Sequence, residues 1–338
     1  MLKFTCKRLL VVREMTTIKD VARLADVSVA TVSRVLNNSG YVRQDTRKKV
    51  EATINQLDYK PNEVARSLYK KKSKLVGLLL PDIRNPFFPE LARGVEDELQ
   101  KEGYHLIVGN ADEDMEKELK YMETFKQNNV VGIITAVGRL SKECYQECNC
   151  PIVFSDRTLE GYPSVRSDVF QGGRLAALEL IKRGSRSITV LKGPSNLQTA
   201  QDRFKGTIDG LCHHEVGFQV IETESFGFKD VQKVAIELFD KYPLTDGVIA
   251  CNDVLASAVL SETLKRNRRV PEDVQIIGFD DIPMSKLLYP PLSTIRQSAY
   301  VLGNESVKML FKVIENKLNI EEVIIPVEFV KRETTRKE

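Results

Sequence analysis

The sequence predicts a two-part α/β protein: a small three-helix head, then a larger body of two parallel sheets facing a cleft. Three observations carry this. Between Thr17 and Asn37, apolar residues recur at helical spacing in two short blocks, Ile18, Val21, Ala22 and Ala25, then Val32, Val35 and Leu36. From Leu75 onward, near-continuous Val/Ile/Leu runs alternate with helical segments, the pattern of parallel strands covered on both faces. Charge divides at the same boundary. Residues 15–74 carry 13 Lys/Arg against 6 Asp/Glu, a net of +7, whereas residues 75–338 carry 33 against 40, a net of −7. A basic head on an acidic body fits a head that meets phosphate and a body that does not.

In the head, Asp26-Val27-Ser28 cannot continue the first apolar face, so two helices of roughly two turns are joined by about three residues. Thr17 and Ser28 are suited to cap them, because a short side-chain oxygen accepts from the free N–H groups of a first turn. This is a helix-turn-helix, whose second helix can enter a DNA major groove. Its outward face carries Val29, Ala30, Ser33 and Arg34. Arg34 can donate two bonds to guanine, and Val29 and Ala30 suit a thymine methyl. Asn37-Asn38-Ser39-Gly40 reads as a loop. Residues 44–57 form a third helix with Val50, Ile54 and Leu57 turned inward, and Arg47, Lys48, Lys49 and Tyr41 are placed to meet backbone phosphates. Pro61-Asn62 stops the run, and E-V-A-R-S-L-Y is too short to be a stable helix alone. Lys70, Lys71, Lys72 and Lys74 make a basic connector.

The segment from Thr17 to Leu68 resembles the DNA-binding head of the lactose/galactose repressor family. T-I-K-D-V-A, V-S-x-x-T-V-S-R-V-L-N, T-R-K-K-V, L-D-Y-K-P-N and V-A-R-S-L stand in the family's order and spacing. The resemblance implies operator contacts that include Thr17, Ser28, Thr31 and Asn37 beside the residues above. It also implies a hinge helix and linker over residues 61–74, the helix folding when two subunits pair on DNA. There Leu68 would wedge between central base pairs while Asn62 and Ala65 face the minor groove. Members of the family usually begin at the position of Met15. Residues 1–14 match no part of the pattern, and their apolar run, Leu9 to Val12, is too short for a signal-peptide core. They are expected to be a disordered extension or an upstream start assignment.

In the body, L-V-G-L-L-L-P, H-L-I-V-G-N-A, V-V-G-I-I-T-A and P-I-V-F-S-D-R are strands, with helices at 88–102 and 114–128. A helix at 170–183 follows a crossover. S-I-T-V-L-K-G-P, V-I-E-T-E, D-G-V-I-A-C-N-D, V-Q-I-I-G-F-D-D and L-S-T-I-R-Q are further strands. Helices lie near 196–213, 230–241, 253–266 and 299–317. The strand count exceeds one small sheet, and no solenoid-length repeat is present. The resemblance implies the type I periplasmic-binding-protein fold: two Rossmann-like subdomains, with the chain crossing between them three times. The expected N-subdomain is 75–168 and 297–322, the C-subdomain 169–296 and 323–335.

Ligands of open parallel sheets bind at the carboxyl ends of strands. Those ends carry Asn85-Pro86-Phe87-Phe88, Asp156-Arg157, Asn252-Asp253, Asp280-Asp281 and Gln297, with Arg203 in the helix after S-I-T-V-L-K-G-P. Aromatics, carboxylates, arginines and carboxamides together suit a sugar, whose C–H faces stack on rings and whose hydroxyls need both donors and acceptors. Asp253 is assigned to capping the following helix. In sugar-binding relatives of the fold the matching positions touch the sugar. Asn85, Phe87, Phe88, Asp156, Arg157, Arg203, Asn252, Asp280 and Gln297 follow the pattern of ribose-binding members, with Phe226 a looser match. Ribose is therefore the first expectation, then fructose or a sucrose-derived sugar.

The resemblance implies a sugar-responsive repressor acting as a homodimer on a pseudo-palindromic operator. It leaves open whether sugar releases or tightens DNA, and whether a phosphorylated carrier protein docks on the N-subdomain. A transport binding protein is opposed by the basic head and the missing signal peptide. An enzyme would need a glycine-rich phosphate loop or a nucleophile–base pair. No G-x-G-x-x-G follows a strand, and His105, His213 and His214 do not follow the cleft-facing strands. Cys144, Cys148 and Cys150 form C-x3-C-x-C, and Cys212 precedes two histidines, but the paired C-x2-C spacing of zinc sites is missing. No metal or cofactor is expected, and the six cysteines suit reduced thiols in a cytoplasmic protein. No stretch approaches the roughly 18–20 apolar residues that span a bilayer. After Val330 no leucine heptad follows, so a tetramer held that way is not expected.

Overall fold

The structure is a computed structural model and describes residues 16–60, 73–228, 230–316 and 321–338. The expected extension 1–14 and the hinge positions Asn62, Ala65 and Leu68 lie outside the described residues. The chain divides into two compact units, the head and the body from Lys74 onward.

In the head, α1 (Ile18–Leu24) starts on a reciprocal cap. Thr17 Oγ1 accepts from the Asp20 N–H at 3.4 Å, and Asp20 Oδ2 accepts from the Thr17 N–H at 3.0 Å. Asp26 turns the chain at φ +52°, and Ser28 Oγ accepts from the Thr31 N–H at 3.1 Å to open α2 (Val29–Asn37). Asn38, at φ +50°, closes α2 in the left-handed conformation that a short polar side chain tolerates. α3 (Gln44–Gln56) lays Val50 against Val21, Ala25 and Val32 in a core joined by Ile54 and Leu57.

The body is two six-stranded sheets. The first contains β1 (Leu75–Leu80), β2 (His105–Asn110), β3 (Gly132–Thr135), β4 (Ile152–Ser155), β5 (Ser164–Ser167) and, near the end of the chain, β11 (Glu322–Ile325). Their order is β11-β5-β4-β3-β1-β2, every pairing parallel. The second contains β6 (Ser187–Lys192), β7 (Gly217–Glu222), β8 (Gly247–Ala250), β9 (Gln275–Asp280), β10 (Ser293–Arg296) and β12 (Glu328–Val330). Its order is β12-β10-β9-β8-β6-β7, with only β12 antiparallel. Both sheets therefore wind the same way, each reversing direction between its first and third strands, where ligands of such sheets bind. Alternation fixes the faces: Leu78 and Leu80 of β1 join one core while Leu79 joins the opposite one.

Helices cover the sheets: α4 (Phe87–Lys101), α5 (Met115–Gln127) and the short α6 (Lys142–Gln146) in the first half, then α7 (Val169–Lys182), α8 (Gln198–Cys212), α9 (Val231–Lys241) and α10 (Asp253–Lys265) in the second, and finally α11 (Ala299–Ile314). Each half has one helix pair in backbone contact. A Cβ on Gly94 of α4 would lie 2.1 Å from the Tyr300 carbonyl oxygen of α11, and one on Gly206 of α8 would lie 1.9 Å from that of Phe170 on α7. Only glycine allows these approaches.

The third crossing differs slightly from expectation. Residues 322–325 hydrogen-bond to β5, so the chain leaves the first half after Ile325 rather than at 322. β5, β11, β12 and α6 were not foreseen. β5 is S-V-R-S, with one apolar residue, and the other strands are short edges whose polar faces carry little pattern. No helix among the described residues is long and apolar enough to cross a membrane.

Candidate functional site

On α2, Val29, Ala30 and Arg34 are exposed, and Ser33, Thr31 and Asn37 are half-buried. The Asn37 amide donates to Ser33 Oγ at 3.2 Å. Thr17 and Ser28 use their side-chain oxygens as caps. Tyr41 is 87% exposed, a large aromatic with its hydroxyl in solvent.

In the body, a cavity of about 280 Å³ opens between the carboxyl ends of the two sheets. All ten residues singled out from the sequence line it: Asn85, Phe87, Phe88, Asp156, Arg157 and Gln297 on the first-half side and crossover, Arg203, Phe226, Asn252 and Asp280 on the second. Phe87 and Phe88 begin α4 and stand edge to face, centroids 5.2 Å apart. Asn85 Oδ1 accepts from the Phe87 N–H at 3.2 Å, which fixes that turn. Asp156 follows β4 and Asp280 ends β9, at φ +67° and +111°, left-handed backbone that costs a non-glycine residue free energy and turns each carboxyl off its strand.

Arg203 is buried, its guanidinium 3.6 Å from the Phe279 ring centroid and 5.4 Å from that of Phe226. One Nη donates to the Cys251 carbonyl oxygen. Gln297 Nε2 donates to Asp280 Oδ1 at 2.6 Å. Five buried side-chain polar atoms have no protein partner among the described residues, and three of them belong to this cavity: Arg157 Nε, Arg203 Nε and Gln297 Oε1. Buried polar atoms are nearly always bonded, so this concentration marks groups set to meet a polar ligand. Burial pushes Asp280 up to about 8, against the pull of Arg203. Burial likewise raises Asp156, opposed by Arg157 and Arg203.

One local assignment is corrected. Asp253 does not cap α10; Asn252 does, its Oδ1 accepting from the Leu255 N–H at 2.9 Å while its Nδ2 donates to the Phe226 carbonyl at 2.6 Å. Asp253 turns inward and accepts from the Ile282 N–H, Ser285 Oγ and Thr294 Oγ1 at 2.9, 2.6 and 2.5 Å. The sequence places both residues at the strand end, and the one-residue difference in direction comes from the chain entering the helix.

Further cavity residues escaped the sequence reading, Glu113 and Arg139 among them. Glu113 follows β2, and its carboxylate takes both Nη groups of Arg157 and the Nε of Arg139, the last at 3.0 Å. Burial works to raise Glu113, but the two arginines outweigh it and hold it below the usual range. Applying the strand-end rule to β2 and β3 would have found both. Elsewhere, Cys148 and Cys150 lie with sulfurs 3.7 Å apart. No group of three or more His, Cys, Asp or Glu residues converges as a metal site among the described residues.

Residues 17–62 match the model described as bacterial regulatory proteins, lacI family, and residues 73–333 the model for periplasmic binding proteins and the sugar binding domain of the LacI family. The chain belongs to the LacI family. It is 59% identical over 325 residues to the ribose operon repressor of Bacillus subtilis (strain 168), covering 96% of this chain and all of that one. It is 41% identical to the ribose operon repressor of Lactococcus lactis, over 95% of this chain and 98% of the other. Among solved LacI-family structures, the Lac repressor dimer bound to operator and an anti-inducer superposes with a TM-score of 0.85 at 26% identity, covering 95% of this chain and 99% of that one. A LacI-family regulator from Enterococcus faecium with bound ribose gives 0.71 at 32% identity, covering 77% and 98%.

Proposed function

We propose that this LacI-family chain is a transcriptional repressor that pairs as a dimer on a pseudo-palindromic operator and responds to a small sugar, ribose, in the body cavity. The observation that carries the sugar reading is the cavity itself. Edge-to-face phenylalanines, two strand-end carboxyls and unpartnered polar atoms of Arg157, Arg203 and Gln297 converge there. A polyol offers each of them a matching group. The names of the B. subtilis and L. lactis relatives and the ribose in the E. faecium structure favour ribose over other sugars. The operator-bound Lac repressor dimer supports DNA reading by paired heads.

Phosphate contacts supply most of the affinity, while Arg34, Val29 and Ala30 read base edges. Asn62, Ala65 and Leu68 act at the minor groove of the paired hinge. Sugar closes the two halves of the body on each other and weakens that pairing, and a coupling of about 1–3 kcal/mol is enough for useful switching.

The test is a fluorescence-anisotropy titration of labelled operator DNA at fixed salt, with ribose, fructose, sucrose and purines added in turn. Release by ribose is expected, and Asp280→Ala should bind DNA yet ignore the sugar. Tightening by ribose would reverse the sign proposed. DNA binding that no small molecule changes would remove ribose as effector and favour a phosphorylated carrier protein.

A further inference from the structure

Four guanidinium groups line the ligand cavity, Arg84, Arg139, Arg157 and Arg203, yet three are paired with carboxylates of the same wall. Arg84 pairs with Asp82 at 2.9 Å. Arg157 and Arg139 converge on Glu113, with Arg157 Nη1 to Oε2 at 3.1 Å and Arg139 Nε to the same oxygen at 3.0 Å. A planar fork of this kind, lined by two arginines, is what binds a phosphate monoester. Here a carboxylate of the protein already fills it.

The backbone is bent to put it there. Asp112 and Glu113 are consecutive non-glycine residues at φ +51° and +56°. Asp112 is anchored by Lys117 and by the Asn110 amide at 2.6 Å. Two adjacent left-handed residues carry a conformational cost that something must offset.

Space does not exclude a phosphate. A second cavity of about 480 Å³ meets the first along Arg139, Asp156 and Arg157 and reaches Arg166 and Ser167. Ser167 is fully buried with an unpartnered hydroxyl. A group attached to a sugar in the first cavity has room to extend there. Arg166, the remaining cation in that space, is held by Glu322 at 2.7 Å. Charge, not volume, therefore closes this route.

We infer that Glu113 is an internal charge plug: by occupying the Arg157–Arg139 fork it makes the cavity accept an uncharged sugar and reject the phosphate ester of the same sugar. This rests on the sugar reading above and names the class of sugar admitted. With the plug in place, a dianionic phosphate meets the Glu113 carboxylate where the Arg157–Arg139 fork would otherwise receive it. Without it, two adjacent guanidinium groups become available.

The experiment is isothermal titration calorimetry on the full chain, wild type, Glu113→Gln and Glu113→Asp, with inorganic phosphate, ribose and ribose 5-phosphate. The wild type should show no phosphate uptake and bind ribose 5-phosphate at least about 100-fold more weakly than ribose. In Glu113→Gln, phosphate uptake should appear, and the ratio of ribose 5-phosphate to ribose dissociation constants should fall at least about tenfold. Glu113→Asp should restore the wild-type ratio, which a merely structural role would not produce. Wild type that takes ribose 5-phosphate as tightly as ribose overturns the inference without recourse to any variant. So does a folded Glu113→Gln protein with neither phosphate uptake nor a changed ratio. Phosphate uptake by Glu113→Gln alone, with ribose bound by neither protein, would uphold the plug and overturn ribose as the effector.

Discussion

Asp280 and Asp253 sit a few residues' width apart in the second half, both buried, and they are built for different ends. Asp253 has three donors, two in the turn over residues 282–285 and one on β10, and removing it strands all of them. Asp253→Ala should cost about 3–5 kcal/mol in denaturant unfolding. Asp280 has one bond, from Gln297, and faces the cavity. Burial lifts it from 3.8 to about 8. Between those values the folded protein keeps a proton that the unfolded chain has released. Its contribution therefore favours the fold at low pH, declines as pH rises through the window, and is lost by about pH 8. Asp280→Asn stays neutral and removes that decline. Calorimetry at pH 5 and pH 8 should show the variant gaining about 2–4 °C on the wild type at the higher pH. The same variant should bind ribose more weakly than the wild type only above about pH 8, where a donor replaces one acceptor of the ionised carboxylate, as titration calorimetry at the two pH values will show. Equal pH dependence in the two proteins would remove Asp280 as the responsible group.

At the scale of elements, the helix pairs joined through glycine decide where cleft residues point. α8 lies against α7 at Gly206 and Gly173, and Arg203 projects from α8 one turn before Gly206. Gly206→Ala places a methyl group within 1.9 Å of the Phe170 carbonyl, so α8 must move. The expected cost is about 1–3 kcal/mol of stability, with ribose affinity reduced by about tenfold, read by calorimetry. The elements were legible in proportion to their apolar content. β1, β6, β8 and β9 carry unbroken buried runs, whereas β5 and β12 exist because a neighbouring strand offers hydrogen bonds, which no local pattern records. The cavity was legible because strand ends lie at one topological position, so the rule needed only the strands. The ends of β2 and β3 were passed over, and with them Glu113 and Arg139, which hold each other rather than announcing a ligand. The rule failed on direction at Asn252 and Asp253, where one residue of helical rotation separates cap from core.

At the scale of the whole molecule, the charge division assigns salt sensitivity to one part. The head carries the positive excess, and most carboxylates and guanidiniums of the cavity are paired within the protein. Raising salt from about 50 to 200 mM should weaken operator binding by a factor on the order of 100 or more and leave ribose affinity within about twofold, checked by anisotropy and calorimetry in the same buffers. The tail of the chain completes both sheets. β11 extends the first and β12 the second, Thr334 Oγ1 donates to the Ile276 carbonyl at 2.7 Å, and Arg332 pairs with Asp281. The head, by contrast, has its whole core in hand by Tyr59. During synthesis at roughly 5–20 residues per second, the reading head is therefore complete about 13–50 s before either half of the sensor can close its sheet. On the function proposed above, one head on one half-site holds DNA weakly and pairing waits for the finished body, so the ribosome delivers no repressor that grips its operator before it can hear the signal to let go.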